Sequence, residues 1–382
     1  MMRTSEPAPG QVVMSRPIVK SRSDRALCYI TVALTGIGLM SVFTASAAQA
    51  DFETGNSLSI LLKQVVALIV GVLLMRVVQR LPLEFFKRVA RPLALISIGL
   101  LIVTMFAGTT ANGSERWIAL PFGFSFQPSD VAKVAAILLM AQGLSQPRFL
   151  NKELIVNLAM VSLMLVLIVK QPNLSVTMIL GAVTFLMLTV SGLHRACMLA
   201  VIPLMGFLVY REITHNPYQM KRITGWLNPW KDPLESGYNL IQSYYAIGSG
   251  GLFGVGIGHS IQKLYYLPFQ HTDFIFSVIC EEWGFFGAAI VVGLFALLGW
   301  RGFTIAWQCA NPFGKLTAFG LTLALTIQAL INISVTIGLM PVTGVTLPLI
   351  SYGGTSMIVT LAMIGLLLNI SRLPRQERVE VL

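Results

Sequence analysis

An all-α polytopic membrane protein of about ten transmembrane helices is the fold this sequence predicts, and three observations carry it. The chain of 382 residues has a mean hydropathy of +0.75 and 55% hydrophobic residues. Only 11% are charged, against roughly 25% in an ordinary soluble domain. Apolar runs of about 20 residues, the length needed to cross hydrocarbon, recur along the chain. The period-two alternation of an outer-membrane barrel is absent.

The spans follow in order as about 26–48, 58–78, 92–107, 130–145, 154–170, 173–193, 197–210, 274–300, 315–340 and 346–370. Residues 1–25 form a polar tail with Pro7, Pro9, Pro17 and five basic side chains, unlike a cleavable signal peptide. Residues 26–372 read as a single transmembrane domain and 373–382 as a second tail. With the N-terminus inside, 18 of the 27 Lys and Arg fall in cytoplasmic segments and seven outside. That bias predicts both termini in the cytoplasm, an N-in, C-in topology, and a large outer loop, about 211–272, between helices 7 and 8. The net charge of +11 is then orientation and contact with anionic lipid, with no nucleic-acid role. Cys28, Cys197, Cys280 and Cys309 show no paired spacing, so neither zinc nor a disulfide framework is indicated. No internal repeat is evident, which leaves the inverted-repeat plan of many transporters without support.

Four stretches carry polar chemistry at the outer ends of these spans. In NGSERWIALPFGFSFQPSDVAK (112–133), Ser129 is a candidate N-cap, and Asp130 and Lys133 share a helix face and can pair. Either this is a cap with a snorkelling lysine, or Lys133 and Arg116 bind an anion such as a pyrophosphate. The turn Lys170–Leu174 reads as proline and a capping Asn173. The 211–272 loop begins with aromatics and prolines, could form a short amphipathic helix over 237–247, and then carries glycines at 248, 250, 251, 254, 256 and 258. These glycines suit a close backbone approach, an anion-binding nest or a plain turn. No Gly-Lys-Ser/Thr follows, which excludes a nucleotide P-loop.

The loop ends at Asp273, beside His271 and Thr272, with Glu281 and Glu282 following in the same span. Asp273 could merely cap span eight. As a carboxylate between water and hydrocarbon it would instead have a raised pKa, suited to a general base. On a continuous helix, Glu281 would lie two turns deeper on a neighbouring face, and acids at such depth default to function. Finally, PVTGVTLPLISYGGTS (341–356) would break a helix, so its backbone must be buried or face a cavity, where Ser351 and Tyr352 offer hydroxyls. A glycine-rich packing turn is the other reading.

Taken together, KLYYLPFQHTDFIFSVICEEWGFFG and PVTGVTLPLISYGGTS, with ERWIALPFGFSFQPSDVAK, NPWKDP and IGSGGLFGVGIG in order, resemble the SEDS family (shape, elongation, division and sporulation), from about Arg25 to Arg372. The NPW and EEWGFFG surroundings are more similar to its FtsW members than to RodA. The resemblance implies ten spans and a peptidoglycan glycosyltransferase in the bacterial inner membrane. That enzyme polymerises lipid II into nascent glycan strands at the outer face, here for septal synthesis in cell division. It implies Asp273 as general base, and Arg116, Asp130 and Lys133 as handlers of the pyrophosphate, with room for a divalent cation (Mg or Mn). Gln262, Lys263, His271, Thr272, Glu281, Ser351 and Tyr352, from the same motifs, are the further candidates for contacting substrate. A class B penicillin-binding protein and other divisome membrane proteins are the implied partners.

Some positions depart from the family pattern. Asn173 and Ser175 stand where many members have a QPDLG turn, Asp130 where Glu is frequent, and Thr343 where many proteobacterial FtsW sequences have Lys. The rival readings are a RodA-type elongation polymerase, a lipid II flippase and a non-catalytic divisome scaffold. A flippase wants its site at the midplane, whereas the polar residues here crowd one leaflet.

Overall fold

The computed structural model describes residues 23–373 apart from 108, 112–113, 122–123, 147–150, 193–205, 207–209 and 265. Its helices are α1 (Arg25–Thr54), α2 (Ser59–Val78), α3 (Leu83–Ala107), α4 (Pro128–Leu144), α5 (Lys152–Lys170), α6 (Leu174–Val190), α7 (Pro217–Leu227), α8 (Tyr238–Gly250), α9 (Ile275–Gln308), α10 (Pro312–Thr336) and α11 (Gly354–Ile370). Six of them, α1, α2, α3, α5, α9 and α10, are long and apolar enough to cross a membrane, and α6 and α11 are shorter apolar helices. The protein is a multi-span α-helical membrane protein. The seventh expected span, 197–210, lies outside the described residues except for 206 and 210.

α4 is the inner helix. It packs against α3, α5, α6 and α10, and its side chains are buried along nearly its whole length. α2 pairs with α11, where Gly365 lies so close to α2 that a Cβ there would stand 2.7 Å from the Met75 carbonyl. Small residues permit such backbone approach between membrane helices. Asp24 caps α1 by accepting from the Leu27 N–H and also takes a hydrogen bond from Arg301 of α9. Its own N–H donates to Ser371 Oγ (3.1 Å) just beyond α11. The start of α1 and the end of α11 therefore share one face of the bundle.

The structure departs from the sequence reading in several places, among them α1 and α9, which run on to Thr54 and Gln308 rather than 48 and 300. α3 begins at Leu83 rather than 92, because Lys87, Arg88 and Arg91 depress its mean hydropathy while Leu83, Phe86, Ala90 and Ala94 still bury one face. The last helix begins at Gly354 rather than 346, and 337–353 is irregular backbone. Within the segment read as an outer loop, β1 (Thr109–Ala111), β2 (Ser114–Leu120) and β3 (Phe124–Phe126) form a small antiparallel sheet in the order β1-β2-β3. The 237–247 helix expected in the long loop is present as α8.

α9 is broken at Gly284, which takes φ 67° and ψ −163°. The glycine-rich segment after α8 fills the break. Val255 and Gly256 N–H donate to the Glu281 and Glu282 carbonyls (2.9 and 3.1 Å). Phe285 and Phe286 N–H donate back to the Gly251 and Leu252 carbonyls (2.9 and 3.3 Å). Only glycine fits here, since a Cβ on Gly284 would stand 2.4 Å from the Gly254 nitrogen. The glycines thus bring the backbone up to the chain's own helix; they do not form an anion nest at the cavity described next.

Candidate active site

At the end of the bundle opposite the Asp24–Ser371 contact, the β-sheet, α4, α7, α10 and the irregular 337–353 backbone surround a cavity of about 330 Å³. Its charged lining is Arg116, Asp130, Lys133, Arg222 and Asp273, with Tyr218, Thr272, Gln328, Thr346 and Tyr352 among the neutral polar groups. Six sequence candidates meet here: Arg116, Asp130, Lys133, Thr272, Asp273 and Tyr352.

Asp273 precedes α9 without capping it, since Phe274 holds the cap position and α9 has no side-chain cap hydrogen bond. Its backbone is fixed from two sides. Asn332 Nδ2 of α10 donates to the Asp273 carbonyl (2.8 Å) and to the Val345 carbonyl (2.7 Å). Ser351 Oγ donates to the Thr272 carbonyl (2.6 Å), and the Tyr352 N–H to the His271 carbonyl (2.8 Å). Burial pushes the Asp273 carboxyl up to about 6, while the Arg222 and Arg116 cations pull it back. Arg222 stacks on the Tyr218 ring at 4.5 Å and donates to the Thr343 carbonyl (3.2 Å). Gly344 separates acid from cation: a Cβ there would lie 3.4 Å from Asp273 Oδ2 and 3.8 Å from Arg222 Nη2.

The opposite wall is a buried polar relay. Lys133 Nζ lies 2.9 Å from Asp130 Oδ1 and 2.8 Å from Gln328 Oε1, and Gln328 Nε2 donates to the Thr346 carbonyl (3.0 Å). Lys133 is 6% exposed, so it does not snorkel; α4 lies too deep in the bundle for that. Ser129 is not the cap either, because α4 starts at Pro128 behind Gln127, and Ser129 Oγ is buried without a partner. Arg116 donates from Nε to the Gln171 carbonyl (3.1 Å) and from Nη2 to the Pro172 carbonyl. The 170–174 turn thus aims an arginine, besides capping α6 through Asn173. Burial lowers the Arg116 pKa to about 10, still a cation at neutral pH.

Five candidates stand elsewhere. Ser351 spends its hydroxyl on the Thr272 carbonyl and the Leu347 N–H. His271 sits behind the wall, edge-on to Tyr352 at 5.4 Å, and burial lowers its pKa to about 4 against the pull of Glu53, so the ring is neutral. Glu281 accepts from Ser260 Oγ and from the Ile261 and Gln262 N–H groups, and Lys263 pairs with Glu282 at 2.9 Å. Gln262, Lys263 and Glu281 therefore tie the glycine segment to α9 and do not line the cavity. Their depth has a structural cause: the acids satisfy a loop that enters the helix break.

Arg222, Tyr218, Gln328, Thr346 and Asn332 were missed by the sequence reading. The Tyr218–Arg222 spacing of four within PYQMKRITGWL was the available signal for two of them. A second cavity of about 360 Å³ lies on the other side of Asp273, lined by Lys221, Glu235, Ser236 and Asn239. It shares Tyr218, Arg222, Phe269 and Asp273 with the first.

Among the described residues no group of three or more His, Cys, Asp and Glu converges. Asp130, whose buried Oδ2 has no partner, and Asp273 line the same cavity. Mg is commonly bound through one or two carboxylates together with substrate phosphates and water, so these two would be its protein ligands.

Fold and site define a membrane-embedded protein with one carboxylate set among cations where two cavities meet. The FtsW/RodA/SpoVE cell cycle protein model matches residues 25–376, and the chain belongs to that family. It is 37% identical to the probable peptidoglycan glycosyltransferase FtsW of Trichlorobacter lovleyi, over 94% of this chain and 96% of that one. It is 38% identical to stage V sporulation protein E of Bacillus subtilis, over 93% and 99%. Among solved structures it is similar to a chain of a peptidoglycan synthase complex that coordinates polymerization and crosslinking (TM-score 0.76, 32% identity, 92% of this chain and 98% of that one). It is also similar to the rod shape determining protein RodA of Thermus thermophilus (TM-score 0.68, 28% identity, 93% and 98%).

Proposed function

We propose that this chain is a peptidoglycan glycosyltransferase of the FtsW type, polymerising lipid II at the outer face of the bacterial inner membrane. One observation carries the mechanism: Asp273 stands where two cavities meet, with Arg116 and Lys133 on one side and neutral polar groups beside Lys221 and Glu235 on the other. A reaction joining two lipid-linked sugars needs two sites and one base between them. The cationic cavity suits the diphosphate of the donor, and the second suits the hydroxyl-rich acceptor.

In the chemistry that follows, Asp273 accepts the proton of the acceptor GlcNAc 4-hydroxyl. That oxygen attacks the donor MurNAc anomeric carbon as its bond to the diphosphate breaks, with inversion. The two electrons of the broken bond leave on undecaprenyl diphosphate, whose charge Arg116 and Lys133 stabilise without a protonating acid. A carboxylate with a pKa of about 6 is ionised at neutral pH yet more basic than an ordinary one. The partner supported by the likeness to the synthase complex is a class B penicillin-binding protein that crosslinks the strands.

The test is lipid II polymerisation by the purified wild type and Asp273→Ala, each with a partner lacking its own glycosyltransferase domain. Ladders from wild type and none from a folded, partner-bound variant are the expected result. Equal ladders would remove Asp273 as the base. No ladder from either would favour a flippase or a scaffold.

A further inference from the structure

The first part of the connection between α8 and α9, residues 251–264 and 266–269, does not behave as a solvent loop. Leu252, Phe253, Val255, Ile257, Ile261 and Leu264 are all exposed, Phe253 to 79%. Lys263 is the only Lys, Arg, Asp or Glu in the segment, and it is 8% exposed, turned inward onto Glu282. Ser260 and Lys263 inside and six apolar side chains outside, with His259 the exposed polar exception, is the reverse of what water selects.

The apolar side is continuous with the flank of a membrane span. Phe253 lies against Phe286 of α9, with ring centroids 5.4 Å apart. Along α9, Phe285 beside it and then Ile290, Val292, Leu297 and Trp300 below it are exposed in turn. The backbone is prepared for the same surroundings. Four hydrogen bonds exchanged with the Gly284 break leave the insertion point satisfied, as irregular backbone at membrane depth requires.

Depth follows from helix geometry. The Arg301–Asp24 ion pair joins α9 to the start of α1 and marks one edge of the hydrocarbon. From Arg301 to Gly284 is about 25 Å at about 1.5 Å per residue, against a hydrocarbon core of about 30 Å. The Phe253–Phe286 contact then lies within the hydrocarbon, toward its opposite edge.

We propose that residues 251–264 and 266–269 are an interfacial wedge whose apolar side is covered by the acyl chains of the outer leaflet. The buried Glu281 and Lys263–Glu282 contacts fasten it to α9, so it sets the height of Asp273 above the hydrocarbon. This holds whether or not Asp273 is a base.

The test places a nitroxide on Phe253→Cys, Ile257→Cys or Ile261→Cys of the full chain, after replacement of the native cysteines. The protein is held in nanodiscs of phosphatidylethanolamine and phosphatidylglycerol. Three exposed positions keep the result independent of any one variant's folding. The expected result is more collision with oxygen than with a water-soluble nickel complex, as at Phe286→Cys and opposite to Thr224→Cys on α7. Nickel-dominant relaxation would place the segment in water and overturn the wedge. Protection from both reagents would mean that a partner helix or a second copy covers it, and would overturn it equally.

Discussion

Replacing Arg222 by glutamine removes the cation that pulls hardest on the Asp273 carboxylate. Both atoms lie within 4 Å of where a Gly344 Cβ would stand. They are thus at most about 7 Å apart, where two unit charges attract by roughly 2 kcal/mol at an effective dielectric near 20. At about 1.4 kcal/mol per pKa unit this is between one and two units. The cation favours the charged form, so its loss raises the Asp273 pKa from about 6 to roughly 7–8. A base works only when deprotonated, so the acid limb of the rate profile moves to higher pH. Activity at pH 7 falls roughly two- to tenfold and recovers near pH 9. The assay is the initial rate of lipid II polymerisation against pH for the wild type, Arg222→Gln and Arg222→Lys, with the crosslinking partner present. Lysine keeps the charge and should keep the limb near its wild-type position. A Gln profile lowered at every pH with an unmoved midpoint would refute the reasoning, because Arg222 would then act on substrate and not through Asp273.

Three further outcomes are expected. Gly344→Ala puts a methyl group between Asp273 and Arg222 at φ +71°; the left-handed backbone costs about 1–2 kcal/mol, and gel ladders should fall by more than tenfold on that small loss of stability. Asn332→Ala frees the Asp273 and Val345 carbonyls; steady-state kinetics should show kcat falling more than KM rises, with about 1–3 kcal/mol of stability lost in a melting assay. Lys133→Met leaves Asp130 as an unpaired buried acid, costing about 3–5 kcal/mol, whereas Lys133→Met with Asp130→Asn should recover the melting temperature without recovering polymerisation.

The sequence made legible what hydropathy and motif position control. The apolar runs located the helices because crossing hydrocarbon demands length, and the PVTGVTLPLISYGG run announced cavity backbone because prolines and glycines cannot continue a helix. Asp273 was legible because a carboxylate at a polar–apolar junction has few uses. What hydropathy could not show was pairing across the bundle. Arg222 reaches Asp273 from a separate amphipathic helix, and Asn332 is one amide in an apolar run whose two backbone partners, 273 and 345, are distant in sequence. β2 was hidden for the same reason, since a short strand pair depends on cross-strand partners more than on its own residues. Glu281 and Glu282 misled because depth makes an acid costly, and catalysis is only one way to offset the cost.

That last distinction can be tested directly. If Lys263 and Glu282 hold the glycine segment to α9, their value lies in being paired, not in being charged. Lys263→Met or Glu282→Leu alone leaves one charge buried, and each should cost about 3–5 kcal/mol. Both together replace the pair by apolar side chains of similar size, which buried ion pairs commonly tolerate with little or no loss. The double variant should therefore melt near the wild type and make glycan at close to the wild-type rate, since neither residue lines either cavity. A double variant that melts normally but makes no glycan would return Lys263 to the substrate site. A structural clasp tolerates loss of both charges, whereas a site that binds an anion through Lys263 does not.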